Sequence, residues 1–354
     1  MTRDIFGDSP VRERNFASDN NSGSCPEVVA ILEEANQGHA PGYGDDLWTK
    51  RAEEGIRELL DLECEVFFVF NGTAANALSL ATLCQSYHAI LCHRMAHVEI
   101  DECGAPEFFG GGTKVIPLSG EDGRLSAEAI EEAVLRRDDV HFPKVKAISL
   151  TQATELGTIY DLNDLAAIGE SAKRHELRVH VDGARFANAV AELEVAPKEL
   201  ILASSTDVLC LGATKNGSPV GDAVVFFNRE LAVEFEYRRK QAGQLASKMR
   251  YLAAPWLALA ENDLWLRNAR HANSIAECLK QELESSQMKL LCPRQANSVF
   301  VDIPEKAQAA LREKGWLFYV FLGKTGCRLM CSWDLTEDDV MEFGTDLREA
   351  LELE

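Results

Sequence analysis

VHVDGAR (residues 179–185) and LGATKNG (residues 211–217) are the two stretches whose reading decides the fold. Each runs out of a short apolar segment into a loop that bears chemistry, Asp182 in the first and Lys215 in the second. In an open α/β sheet, ligands bind beyond the carboxyl ends of the strands, so both loops stand where a site would be built. An aspartate leaving a buried strand is unfavourable unless something pairs with it. A pyridinium nitrogen is one such partner, because the carboxylate keeps that nitrogen protonated and the ring an electron sink. A lysine flanked by Thr214 and Asn216-Gly217, again after a buried strand, suits a Schiff base. The plainer alternative is a salt bridge between neighbouring loops, and no single element of the pair excludes it.

Working outward, short β-branched or apolar runs recur at VFFVF (66–70), AILC (89–92), KVIPL (114–118), KAISL (146–150), LRVHV (177–181), VLCL (208–211) and AVVFF (223–227). Between them, SAEAIEEAVLRR (126–137) and LNDLAAIGESAKRH (162–175) carry apolar residues three and four apart, as helices lying on a sheet do. The alternation predicts an α/β fold built from parallel β-α-β units, with a mostly parallel seven-stranded sheet. From about residue 250 long helical patterns give way to KLLC, SVFVDI, WLFYVFL and CRLMCSW, which predict a smaller α+β domain. The expected organisation is an N-terminal arm (1–24), a large domain (25–250) and a small C-terminal domain (251–354).

Composition narrows the partners. The chain has 354 residues, 46% of them hydrophobic and 26% charged, as in an ordinary globular protein. Its net charge of −21 repels polyphosphate, so no nucleic-acid partner is expected, and the acidity reads chiefly as solubility. The cysteines form no C-x-x-C pair and lie in apolar segments, where a reduced thiol acts as a small hydrophobe. A reducing cytoplasm is expected. The N-terminal MTRDIFGDSPVRERNF lacks the apolar run of a secretory signal, and no stretch is apolar enough to predict a membrane span.

Further elements could carry chemistry. FVFNGTAANALSLATL (68–83) reads as a strand entering a helix through Asn71, Gly72 and Thr73. Free amides at a helix start bind phosphate, although Asn71 as a simple N-cap accounts for the same residues. His93 and His97 are four apart and could share one helical face, but a third metal ligand is missing, so no metal is expected. His97 is better read as an aromatic that stacks on a flat cofactor, and His88, His141, His175 and His271 as surface or structural residues. Arg185 and Arg328 are candidates for gripping a carboxylate, since a guanidinium forks onto two oxygens. Arg328 sits in an apolar strand, where the alternative is an edge-strand cation.

FASDNNSG, GYGDDLW, NGTAAN, AHVEIDECGAPEFFGGG, VHVDGARFANA, GATKNG and KQAGQLASKMRYLAAPW together resemble the low-specificity L-threonine aldolases, members of the fold-type I pyridoxal-phosphate enzymes. The resemblance covers roughly residues 15–335. It implies pyridoxal 5′-phosphate carried on Lys215, its ring nitrogen held by Asp182, its ring stacked on by His97 and its phosphate held by Gly72 and Thr73. Ser18, Arg185 and Arg328 would take the substrate carboxylate, with Arg185 also near the cofactor's phenolic oxygen. Tyr43, and with it Arg238, would reach a neighbouring subunit's site, making a homo-oligomer obligatory as a dimer or homotetramer.

The implied reaction is retro-aldol cleavage of L-threonine, L-allo-threonine and related β-hydroxy-α-amino acids to glycine and an aldehyde. His97 is the first candidate for the base that takes the β-hydroxyl proton and Glu155 the second. Phenylserine cleavage, β-elimination and transamination are rival reactions on the same scaffold. A binding protein without catalysis is disfavoured by the presence of both Lys215 and Asp182. One departure stands out. Many family members carry a histidine in a Glu-Asn-Thr-His-Asn run where this chain reads TQATELG (151–157), with Glu155 near its place, which marks a distinct subgroup.

Overall fold

Every one of the apolar runs of the predicted large domain becomes a strand. The computed structural model of the chain describes residues 12–352, so residues 1–11 of the expected arm lie outside the described residues. β1 (Glu65–Val69), β2 (His88–His93), β3 (Lys114–Leu118), β4 (Lys144–Thr151), β5 (Arg178–Gly183), β6 (Val208–Leu211) and β7 (Asp222–Phe226) form one sheet. Its order is β1-β7-β6-β5-β4-β2-β3. From β3 through β6 all neighbours run parallel, as expected for an α/β fold.

β7 is the exception and runs antiparallel to both β6 and β1. The reason is the length of the connection. Only residues 212–221 join β6 to β7, and a parallel crossover needs a dozen residues or more. The chain must therefore turn back on the edge where β6 ends.

Helices cover both faces of this sheet. They are α1 (Pro26–Ala35), α2 (Leu47–Leu60), α3 (Gly72–Leu83), α4 (His97–Ile100), α5 (Ala105–Phe109), α6 (Ala127–Leu135) and α7 (Leu162–Arg174). α8 (Phe186–Leu193), α9 (Pro197–Ala203), α10 (Arg229–Gln241), α11 (Arg250–Ala260) and α12 (Leu264–Ser285) follow. Local chemistry sets several starts: Ser126 caps α6 through Ala129 N, and Asp161 caps α7 through the amides of Asn163 and Asp164.

The alternation of a strand decides which side chains meet which helices. Val179, Val181, Leu209 and Leu211 pack in one core with Ile56 of α2, Leu165 of α7 and Trp256 of α11. Val208 and Cys210 pack on the opposite face with Leu78 of α3 and Phe235 of α10. By parity, His180 and Asp182 share that second face. This is why Asp182 meets α3.

The C-terminal part forms a smaller antiparallel sheet, β8 (Ser298–Asp302), β9 (Tyr319–Leu322) and β10 (Gly326–Met330), in the order β8-β10-β9. α13 (Glu305–Glu313) and α14 (Glu337–Glu352) complete it. KLLC does not become a full strand; Leu290 makes a single bridge to Val301. α12 enters both cores, with Leu264 and Trp265 in the large one and Ile275 and Leu279 in the small one. Among the described residues, no helix is long and apolar enough to cross a membrane.

The first described residues are bound to the small sheet. Phe16 N donates to Leu317 O (3.2 Å), and Met330 N donates to Phe16 O (2.8 Å). The Phe16 ring is fully buried, stacked 5.6 Å from Trp316 and edge-on 5.1 Å from Phe343. Phe16→Ala should therefore lower stability by about 3–5 kcal/mol in urea denaturation, while Phe16→Leu should lose much less. A loss under about 1 kcal/mol for the alanine variant would show that this ring does not anchor the segment.

Candidate active site

The carboxyl ends of β1, β2, β4, β5 and β6 and the start of β7 share one edge of the sheet. There a cavity of about 190 Å³ is lined by Gly72, Thr73, His97, Thr214, Lys215 and Asp222, among others. A larger recess of about 710 Å³, between Ile116, Ala133 and Phe142, is chiefly apolar and none of the predicted site residues lines it.

Helix α3 offers its start to the cavity. The first amides of any helix lack intrahelical acceptors. Asn71 Oδ1 accepts from Ala74 N (3.0 Å) and Asn71 O from Ala75 N (3.1 Å). The amides of Gly72 and Thr73 stay without partners among the described residues. Asn71 thus caps the helix and still leaves an anion-binding start, so the two sequence readings of this turn hold together.

Lys215 lies on a short 3-10 turn, Thr214–Asn216, ended by Gly217 at φ 95°. The antiparallel register pairs Leu211 with Ala223, which brings Asp222 beside this turn. Asp222 Oδ1 accepts from Ala213 N (2.9 Å), Thr214 N (3.3 Å) and Thr214 Oγ1 (3.1 Å). Burial pushes the Asp222 carboxyl above its ordinary range against the pull of these donors. On the other side Asn216 Nδ2 donates to Trp265 O (2.9 Å) and Asn268 Nδ2 donates to Asn216 O (3.0 Å). The turn is held on both sides, while Lys215 Nζ takes part in no hydrogen bond or ion pair among the described residues. Asp222 was not legible in the sequence because its role comes from the reversal of β7.

Asp182 accepts from Asn76 Nδ2 at Oδ2 (3.0 Å) and from Ala184 N at Oδ1 (3.1 Å). The salt bridge to Lys215, the plainer alternative, is not formed among the described residues. Asn76 Nδ2 also donates to Glu102 Oε1 (2.8 Å), and the same oxygen lies 2.9 Å from His97 Nδ1. The Glu102 hydrogen bond holds the His97 imidazole above its ordinary value against burial, with Asp182 and Glu155 adding to the effect. Burial pushes Glu102 up as well. Sequence reasoning missed Asn76 and Glu102, although an Asn inside the apolar helix of NGTAANALSLATL was a signal for it. His93 and His97 do not share a helical face: His93 closes β2 and His97 opens α4. His93 instead pairs with the backbone at Gly120 and Met95.

The arginines differ from each other. Arg185, expected to grip a ligand carboxylate, already forks onto Asp19, Nε to Oδ2 (2.7 Å) and Nη2 to Oδ1 (2.9 Å), with both side chains buried. Asn297 Nδ2 donates to Asp19 as well (3.1 Å). Only part of the Arg185 guanidinium remains for a ligand, because a buried cation that far from water takes the nearest carboxylate.

Arg328 lies on β10, the central strand of the small sheet, so it is not an edge-strand cation. Its guanidinium sits 5.1 Å from the Phe321 ring and 5.5 Å from Tyr319, and its buried Nε has no partner among the described residues. Burial and the nearby Arg185 push its pKa down, while the charges of Glu155 and Asp19 oppose this. Glu155, in the loop after β4, thus lies within electrostatic reach of His97, Arg185 and Arg328.

Ser18 is buried and its Oγ accepts from Asn20 N (3.2 Å). Tyr43 and Arg238 do not line the cavity. Tyr43 is 54% exposed, with Lys240 Nζ 4.8 Å from its ring, and Arg238 lies on α10 with an Nε that has no partner among the described residues.

Comparison with known proteins bears on the family of the chain. The model of the beta-eliminating lyase family matches residues 15–306. The low specificity L-threonine aldolase of Pseudomonas sp. (strain NCIMB 10558) is 52% identical over 338 residues, 95% of this chain and 98% of that protein. That of Pseudomonas aeruginosa is 52% identical over 336 residues, 95% and 97% of the two chains. The solved structure of Leishmania major threonine aldolase superposes with a TM-score of 0.89 at 28% identity, covering 94% of this chain and 98% of that one. With a free lysine, a desolvated aspartate and an open helix start at one strand edge, and with likeness running through nearly its whole length, this chain belongs to the beta-eliminating lyase family and, within it, to the low-specificity L-threonine aldolases.

Proposed function

We propose that the chain is a carbon–carbon lyase that uses pyridoxal 5′-phosphate to cleave L-threonine, L-allo-threonine and related β-hydroxy-α-amino acids to glycine and an aldehyde. The observation that carries this reading is the meeting of Lys215, His97 and the open start of α3 around one cavity, with Asp182 joined to His97 through Asn76 and Glu102. The donor set fits the cofactor. Unpartnered amides at Gly72 and Thr73 suit a phosphate, the unpaired Lys215 Nζ suits an aldehyde carbon, and Asp182 suits a ring nitrogen. When bound, pyridoxal phosphate supplies the electron sink for breaking a bond at Cα.

The chain's own residues supply the rest. Asp182 holds a proton at the ring nitrogen, since a buried carboxylate gains by facing a cation. Gly72 and Thr73 would hold the phosphate, and His97 would pack its imidazole against the cofactor's ring. Arg328 binds the substrate carboxylate with Ser18 beside it, and its buried Nε, without a partner among the described residues, supports this. Arg185, fixed by Asp19, keeps Nη1 for the ligand's carboxylate or the cofactor's phenolic oxygen. His97 takes the β-hydroxyl proton, with Glu155 as the second candidate.

The exposed Tyr43 and the Nε of Arg238, without a partner among the described residues, support a site completed by a second copy of the chain, as a dimer or homotetramer. Ten free cysteines support a reducing, cytoplasmic setting. The division into an arm, a large domain to residue 250 and a small domain beyond it is part of the same reading.

Incubation with both threonine diastereomers, assaying glycine and acetaldehyde, tests the activity directly; release of a keto acid would instead indicate elimination or transamination. Lys215→Ala should abolish the yellow, borohydride-fixable cofactor and nearly all turnover. Cofactor still fixed to the variant chain would overturn the assignment. Arg328→Ala should lose about 1.5–3 kcal/mol of binding and orientation, raising KM for threonine and lowering kcat while the bound-cofactor absorbance persists. Unchanged kinetics at full cofactor occupancy would remove Arg328 from the site.

A further inference from the structure

One amide group serves two buried carboxylates. Asn76 Nδ2 donates to Glu102 Oε1 (2.8 Å) and to Asp182 Oδ2 (3.0 Å). A side-chain NH₂ donates only, so each of these oxygens accepts. The alternative orientation of the Asn76 amide would set its carbonyl oxygen against both carboxylates. Glu102 Oε1 therefore already accepts one hydrogen bond when His97 Nδ1 meets it at 2.9 Å. An ionised Glu102 offers only acceptors, and the hydrogen of this contact then sits on Nδ1. Glu102 Oε2 is buried without a partner among the described residues, so the residue acts through Oε1 alone.

This pins the imidazole. With Nδ1–H committed to Glu102, Nε2 is the nitrogen left to gain and lose a proton, and it lies 3.7 Å from the exposed Asp101 carboxylate. We propose that Glu102 is a positioning residue that holds the Nδ1 proton of His97, presents Nε2 as the proton-exchanging atom of the site, and is coupled to Asp182 through Asn76. The proposal rests on the reading of His97 as the group that packs on the cofactor and takes the β-hydroxyl proton. It adds the atom, the tautomer and the residue that sets them.

The charges around His97 fix the direction of the effect. Asp101 stands on its own segment, Glu102 just beyond it, Asp182 at the end of β5, Glu155 after β4, and Lys215 lines the same cavity. The hydrogen bond to Glu102 is the largest influence, and it keeps the proton on to higher pH than in a free histidine. Removing that charge must lower the midpoint, while Asp182 and Glu155 remain to limit the fall.

Two measurements test this. Diethyl pyrocarbonate acylates only the neutral imidazole, so its rate at the His97 peptide, followed by mass spectrometry against pH, reports the midpoint. In the full-length protein, with and without cofactor, Glu102→Gln should move that midpoint down by about one pH unit, a tenfold change in acidity constant. Glu102→Asp, which keeps the charge, should recover a large part of the shift. An unmoved midpoint in Glu102→Gln overturns the proposal. In the unsubstituted protein, ¹⁵N spectra of labelled histidine above the midpoint should show His97 as the Nδ1–H tautomer; the Nε2–H tautomer overturns the proposal without any variant having to fold. The acid limb of kcat in Glu102→Gln separates the two readings. If it moves with the acylation midpoint, both stand. If the midpoint moves and the limb does not, Glu102 still positions His97 but His97 is not the base.

Discussion

The connection from β6 to β7 is too short to cross over the sheet, and the site is built on that constraint. Because residues 212–221 must turn back, β7 runs antiparallel and begins on the edge where β6 ends. Asp222 arrives beside the Lys215 turn and takes three hydrogen bonds from it. β1 then pairs antiparallel with β7, Val69 against Asp222, so the start of α3 falls on the same edge. A Cβ at Gly72 would lie 3.6 Å from Asp222 Oδ2, which shows how closely the helix start approaches this corner. One short loop therefore gathers the lysine, its clamp and an anion-binding helix end.

The electrostatics of the site run against those of the whole molecule. The chain carries a net charge of −21, yet its buried carboxylates at the site are nearly all answered by neighbours. Asp19 faces Arg185 and Asn297, Asp222 faces backbone amides, and Glu102 and Asp182 share Asn76. Strand parity explains the last pair, since Val179 and Val181 point into the core beneath the sheet and leave Asp182 facing α3. The same face holds His180 between Ser149 Oγ (2.9 Å) and Cys210 Sγ (3.3 Å), and burial lowers its pKa to about 4, so it stays neutral beneath Asp182. Among the described residues Lys215 and Arg328 take part in no salt bridge, and Lys215 lines the cavity.

The Arg185–Asp19–Asn297 cluster ties distant segments together. Asp19 follows Phe16, which is locked into the small core. Arg185 follows β5 of the large sheet, and Asn297 precedes β8, where it also exchanges hydrogen bonds with the Cys331 backbone (both 2.7 Å). A buried ion pair contributes little net stability, because desolvation offsets the attraction. Its effect here is positional: it joins the segment around Asp19, the loop that follows Asp182 and the entry to the small sheet that carries Arg328.

Much of this was legible along the chain. VHVDGAR and LGATKNG, the apolar runs and the helical stretches specified an α/β sheet with Asp182 and Lys215 at strand ends, because strand and helix periods are written in neighbouring residues. NGTAAN marked the helix start for the same reason. Other features were not legible. KLLC has the composition of a strand yet makes only one bridge, and the Asp19 partner of Arg185 lies 166 positions away. Glu102, Asn76 and Asp222 looked like ordinary polar residues, and Arg328 stood open between a carboxylate grip and an edge-strand cation until β10 proved central. The sequence by itself determined which segments become strands and helices and which chemical groups stand at their ends. Only the tertiary structure decided which of those groups are satisfied and which are left free, because a buried polar side chain takes its role from a partner, and here the partners come from segments far apart in the chain.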